Sequence, residues 1–151
     1  MASSVSTDKL FTTHAIASYD FDPNSTAATD VAWVDLRDYS NFAVIAMTSA
    51  STGAAGPVAF KILANSDSAG GGTDVEVKAH AVGSAPDAVG DYLVLECTAE
   101  EIAELASDNS SALRYVSANI AMGNAADEAV VTYIRTGARF QYDGMTADYI
   151  S

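Results

Sequence analysis

At 151 residues the chain has room for one core and little more, and with 49% hydrophobic against 18% charged residues it is too apolar to stay disordered. Twenty acidic residues against seven basic ones leave a formal net charge of -13, which repels phosphate backbones and anionic lipid surfaces, so neither nucleic acid nor membrane is an expected partner. A lone cysteine, Cys97, excludes an internal disulfide framework and a cysteine-built metal site.

The opening Met1-Ala2-Ser3-Ser4-Val5-Ser6-Thr7 has no basic or apolar leader segment, and no later apolar run approaches membrane-span length, so a soluble, cytosolic product is expected. Residues 1–9 are small and polar and read as a flexible arm. Leu10 to Tyr19 mixes β-branched and aromatic residues and predicts a strand, closed by the turn cluster Asp20-Phe21-Asp22-Pro23-Asn24-Ser25. Val31 to Leu36 predicts a second strand, and Arg37 to Asn41 turns the chain. The unbroken apolar run Phe42-Ala43-Val44-Ile45-Ala46-Met47 then predicts a central strand covered on both faces.

Gly53, Gly56 and Pro57 punctuate the next connection, after which Val58, Phe60 and Ile62 alternate with Ala59, Lys61 and Leu63 as another strand. The run Gly70-Gly71-Gly72 lacks the lysine of a phosphate cradle and opens no helix, so it reads as a flexible loop. Beyond it Val75, Val77, Ala79 and Ala81 alternate with Asp74, Glu76, Lys78 and His80, predicting one buried face and one wet face. Asp91 to Cys97 is a further strand that runs into Thr98-Ala99-Glu100-Glu101, a capping box in which the Thr98 hydroxyl and the Glu101 carboxylate satisfy helix-start amides. The short helix that follows sets Ile102, Leu105 and Ala106 on one face and stops at Asp108-Asn109-Ser110-Ser111; it is expected to plug one end of a sandwich. Leu113 to Met122 and Ala129 to Arg135, joined through Gly123-Asn124, predict a hairpin.

About eight strands and one short helix, with short connections, predict an all-β fold over residues 10–139: an antiparallel β-sandwich, jelly-roll-like. Spacing does not carry the strand order. Residues 140–151 follow the last core strand and interleave Phe140, Tyr142, Met145, Tyr149 and Ile150 with polar residues. An apolar tail left over after the core is complete predicts docking onto a neighbour, and its removal is expected to weaken assembly while the sandwich stays folded.

The stretch Val34-Asp35-Leu36-Arg37-Asp38-Tyr39-Ser40-Asn41-Phe42, followed by an apolar strand, resembles a recurrent family of small proteins encoded among the structural genes of tailed bacteriophages and prophages. Ala64-Asn65-Ser66-Asp67-Ser68 is similar to that family's strand ending near "S-D-S", and the short acidic helix and the strand Leu113-Arg114-Tyr115-Val116-Ser117-Ala118-Asn119 resemble its later segments. The likeness covers roughly Val31 to Gly137 and departs at Ser117, where a second arginine is common. It implies a virion β-sandwich protein, of head decoration or cement type, on the outside of the capsid. The implied partners are a major capsid protein and further copies of the chain, as a dimer or trimer on the particle's symmetry axes. A tail, neck or head-spike component of the same particle and a carbohydrate-binding attachment module are the alternatives.

No catalytic, cofactor or metal constellation is expected. His14 and His80 lie far apart and read as surface or rim residues. Asp20, Asp22 and Asn24 imitate the opening of a calcium loop, but Ser25 and Val31 stand where an EF-hand needs glycine and glutamate; a looser calcium site from Asp20, Asp22 and Asp30 competes with an ordinary Asx-rich turn. No serine lies in a nucleophile elbow. Glu100, Glu101 and Glu104 are explained by helix capping and the helix dipole, and Trp33 by a place in the core in preference to a sugar platform with Tyr39.

Overall fold

The computed structural model describes residues 15–52, 56–80 and 88–138. These residues form β1 (Ala15–Phe21), β2 (Thr29–Asp30), β3 (Val34–Asp35), β4 (Asn41–Ala50), β5 (Pro57–Asn65), β6 (Val75–His80), β7 (Tyr92–Thr98), helix α1 (Ala99–Asp108), β8 (Tyr115–Met122) and β9 (Glu128–Thr136). Residues 1–14, including His14, and the tail residues Phe140, Tyr142, Met145, Tyr149 and Ile150 lie outside the described set.

Alternation decides which side of each strand is buried. Phe42, Val44, Ala46 and Thr48 of β4 face Phe60, Ile62 and Ala64 of β5 and Val116, Ala118, Ile120 and Met122 of β8 across the core, with Ala129, Val131 and Tyr133 of β9 beside them. One sheet has the order β1-β9-β4-β7; the other runs β2-β8-β5-β6, with β3 also paired to β8. All pairings are antiparallel. Taken with β2 and β3 as one interrupted strand, this is the eight-strand order of a jelly roll, so the predicted fold class is the one observed.

The interruption has a physical cause. Asp30 lies opposite Asn119 and Val34 opposite Val116, so three residues, Val31 to Trp33, face only Ala118 and Ser117. The Ala118 carbonyl still accepts from the Val31 amide at 2.9 Å, but the bulge denies the Ala118 amide a strand partner. The Tyr133 hydroxyl, reaching over from the opposite sheet, accepts that N–H at 2.7 Å, and burial pushes its own pKa up. Its ring is held by edge-on contacts with Tyr19 and Phe42, both 5.0 Å between centroids.

Three expectations are corrected. Strands β8 and β9 do not form a hairpin: each is paired on both sides with other strands, and the five residues between them arch from one sheet to the other. The alternation read through Ala79 fails because β6 carries a bulge: Leu63 pairs with Glu76 while Ile62 pairs with Lys78, so the extra residue flips everything after it. Ala79 is exposed and His80 half-buried in consequence. Strand β4 is central, as predicted, yet its outer face is not covered, with Met47 40% exposed.

Helix α1 begins with the predicted capping box. The Glu101 amide donates to the Thr98 hydroxyl at 3.2 Å and the Thr98 amide donates to the Glu101 carboxylate at 2.8 Å. Ile102 enters the core and Leu105 and Ala106 pack against it, which closes the sandwich at the end where β4 starts and β7 and β9 finish.

Candidate functional site

The register of the first sheet sets its outer face in rows. Ile16, Ile134, Ala43 and Glu96 lie side by side across β1, β9, β4 and β7; next come Ser18, Thr132, Ile45 and Val94; then Asp20, Val130, Met47 and Tyr92. Ile16 is 54% exposed, Val94 40% and Tyr92 65%, and no element among the described residues packs over them. Its carboxylates stand at the margins: Asp20 and Glu96 on the two edge strands and Glu128 beyond the last row. Four strands about 4.8 Å apart and five residues deep give the whole face, with the Ser18 and Thr132 hydroxyls and the marginal carboxylates included, an area on the order of 300–400 Å². Towards the helix end the face dips into a hollow of about 580 Å³ lined by Asn41, Ala43, Glu96, Thr98, Ile134 and Thr136, among others. The Lys78 ammonium bridges to Glu101 there at 2.7 Å, which holds the Glu101 carboxyl below its usual range.

A second cluster surrounds Asp35 at the same end. The Arg114 guanidinium donates to both Asp35 oxygens, its Nε at 3.0 Å from each, and holds the Asp35 carboxyl below its ordinary value of 3.8. The Asp35 carbonyl accepts from Arg135 of the opposite sheet at 2.9 Å, and the same guanidinium lies 4.8 Å over the Tyr39 ring. Arg37 completes the group. Cations that are scattered singly in the sequence are therefore gathered: three of the five described ones stand around one aspartate.

The residues singled out from sequence fare differently. Asp22 accepts from the Asn24 amide in an Asx turn at 3.3 Å, Asp30 accepts from Asn119 at 2.8 Å, and the structure does not assemble them with Asp20: among the described residues no group of three or more His, Cys, Asp or Glu stands close enough to hold a metal. Trp33 is half-buried and outside the core cluster, contrary to the sequence reading; its indole lies so close to Gly70 that a Cβ there would fall 2.3 Å from Nε1. Tyr39 carries Arg135 on its ring, so the two aromatics do not present a pair of free faces. Ser117, the departure from the resembled pattern, is fully buried against the Ala118 carbonyl and Tyr133. Cys97 is buried, and that burial pushes its thiol up to about 12, out of reach of thiolate chemistry at neutral pH.

The outer face of the first sheet escaped the sequence reading. Its signal is the unbroken run Phe42 to Met47, apolar on both of its alternating sides although only one of them faces the core.

No protein-family model matches the chain, and no curated protein matches it. Among solved structures it is similar to the SPBc2 prophage-derived protein YomS, at 11% identity and a TM-score of 0.40, over 82% of this chain and 95% of that one. It is also similar to a chain from Bacillus endospore appendages, described as a family of disulfide-linked pili, at 17% identity and a TM-score of 0.39, over 82% and 86% of the two chains. Both likenesses are faint.

Proposed function

We propose that this chain is a virion structural protein, a decoration or cement subunit that docks on the outside of a capsid shell through the outer face of its first sheet. The observation that carries this reading is that face: mostly apolar, unpartnered among the described residues, and with its carboxylates Asp20, Glu96 and Glu128 confined to the margins in a chain whose net charge is -13. An acidic subunit turned to solvent stays dispersed, whereas packed DNA would repel it. A face whose centre carries no charged side chain is then suited to burial, and many copies bound only to the assembled shell stabilise it by linkage. The choice of a phage head follows the sequence resemblance through Val34-Asp35-Leu36-Arg37-Asp38-Tyr39.

The test is the copy number of the chain in purified particles of the encoding phage or prophage, by quantitative mass spectrometry against the major capsid protein. A ratio near one, or a simple fraction of it, supports decoration; a handful of copies moves the chain to the tail or neck, and its absence ends the virion reading. On heads stripped of the protein, Val94→Asp or Met47→Asp is expected to weaken rebinding at least tenfold with an unchanged melting temperature, because both side chains point to solvent in the free domain. Unimpaired rebinding would remove this face from the interface.

A further inference from the structure

Between α1 and the ends of β3 and β8 lies a second hollow, of about 250 Å³, floored by Leu36, Ile102 and Leu113 and rimmed by Arg37 and Arg114. Its floor is buried hydrocarbon and its rim is cationic, a pairing that recognises an aromatic or aliphatic side chain next to a carboxylate. Arg114 is committed to Asp35, but Arg37 is 61% exposed and meets Asp35 and Asp38 only at 3.8 and 3.7 Å, beyond hydrogen-bond length. Its donors are open to an incoming acid.

The chain itself carries the matching chemistry. Residues 139–151 contain Tyr142-Asp143 and Asp148-Tyr149-Ile150, each a ring beside a carboxylate. Their point of departure is next to the hollow: the Gly137 carbonyl accepts from the Ser40 amide at 3.2 Å and from its hydroxyl at 3.1 Å, the Ser40 carbonyl accepts from the Ala99 amide at 2.9 Å, and Ala99 lines the hollow. From Ala138 to Tyr149 the chain can extend to roughly 36 Å, ample to turn back or to cross to an adjacent copy.

We infer that the hollow beside α1 is the docking site of the C-terminal segment 139–151, with an aromatic ring of the segment on the Leu36, Ile102 and Leu113 floor and its neighbouring aspartate on Arg37. This site is separate from the sheet face and does not depend on the virion reading.

The test uses the full chain with Ser151→Cys carrying a nitroxide spin label; buried Cys97 does not compete for the reagent. The amide signals of Ala99, Ile102, Ala103 and Leu113 are expected to lose most of their intensity. Intensity should return in Arg37→Glu, which reverses the rim charge, and in Ala103→Phe, which fills the hollow from an exposed helix position. Unshifted amides elsewhere show that either variant still folds. Mixing isotope-labelled chains lacking the nitroxide with unlabelled chains carrying it separates a neighbour's tail from the chain's own, and broadening at the hollow in either arrangement supports the site. Full intensity at these amides in the parent chain, or broadening that both substitutions leave untouched, overturns it.

Discussion

The Tyr133 hydroxyl joins the two sheets through a single atom. It fills the position that the Val31 to Trp33 bulge leaves open opposite Ala118, inside a fully enclosed core. Tyr133→Phe keeps the ring contacts with Tyr19 and Phe42 and removes the hydroxyl that Ser117 also meets at 3.4 Å, leaving the buried Ala118 amide without its acceptor. That costs about 1–3 kcal/mol, to be read as a fall in the denaturant midpoint with an unchanged m-value; a midpoint within error of the parent would mean that another acceptor replaces the hydroxyl. Cys97 offers a complementary probe. With its thiol pushed up to about 12 by burial, it should react with a disulfide reagent near pH 8 roughly a thousandfold more slowly than a free cysteine, and at the ordinary rate once the chain is unfolded. Fast labelling under native conditions would show that the β7 end opens.

Loops and strands differ in how far their sequence foretells them. Helix α1 was legible because a capping box is local: Thr98 and Glu101 meet three residues apart whatever the rest of the chain does. The pairing of β8 was not, since five residues such as Gly123 to Asp127 serve a hairpin or an arch between sheets equally well, and the choice lies with distant partners on β1, β4 and β5. The bulge in β6 is hidden for the same reason, because Lys78 changes sides only in relation to Ile62. The Gly70 loop departs from its reading as a flexible connection. Asp67 accepts from the Ala69 amide at 2.7 Å, the Gly70 amide donates back to the Asp67 carbonyl at 3.2 Å, and Gly70, at φ +72°, lies directly against Trp33. Gly70→Ala is therefore expected to cost at least about 1 kcal/mol from backbone strain alone and, through the indole it displaces, to shift the emission of the protein's only tryptophan. An unshifted spectrum would mean that the loop yields without moving Trp33.

Across the whole molecule, Asp35 ties three segments together: its carboxylate takes Arg114 ahead of β8 and its carbonyl takes Arg135 of the other sheet. Because Arg114 lowers its pKa, the carboxylate stabilises the fold above its ordinary value of 3.8, and that contribution is lost as pH falls below 3.8 through the depressed native value. Asp35→Asn should accordingly melt below the parent at neutral pH, with the gap closing under strongly acid conditions; a gap independent of pH would assign the loss to packing. The jelly-roll order also bears on how the domain is made. Strand β9, the last of the described strands to be synthesised, lies between β1 and β4 in the centre of the first sheet. Until it leaves the ribosome, β1 has no ladder partner among the described strands and β4 offers one open edge, so a nascent chain is an incomplete sheet with a vacant slot. Folding of that half must wait for residue 136 and then close a ladder between ends of the domain far apart in sequence, which makes it slow and leaves the unfinished chain in need of protection.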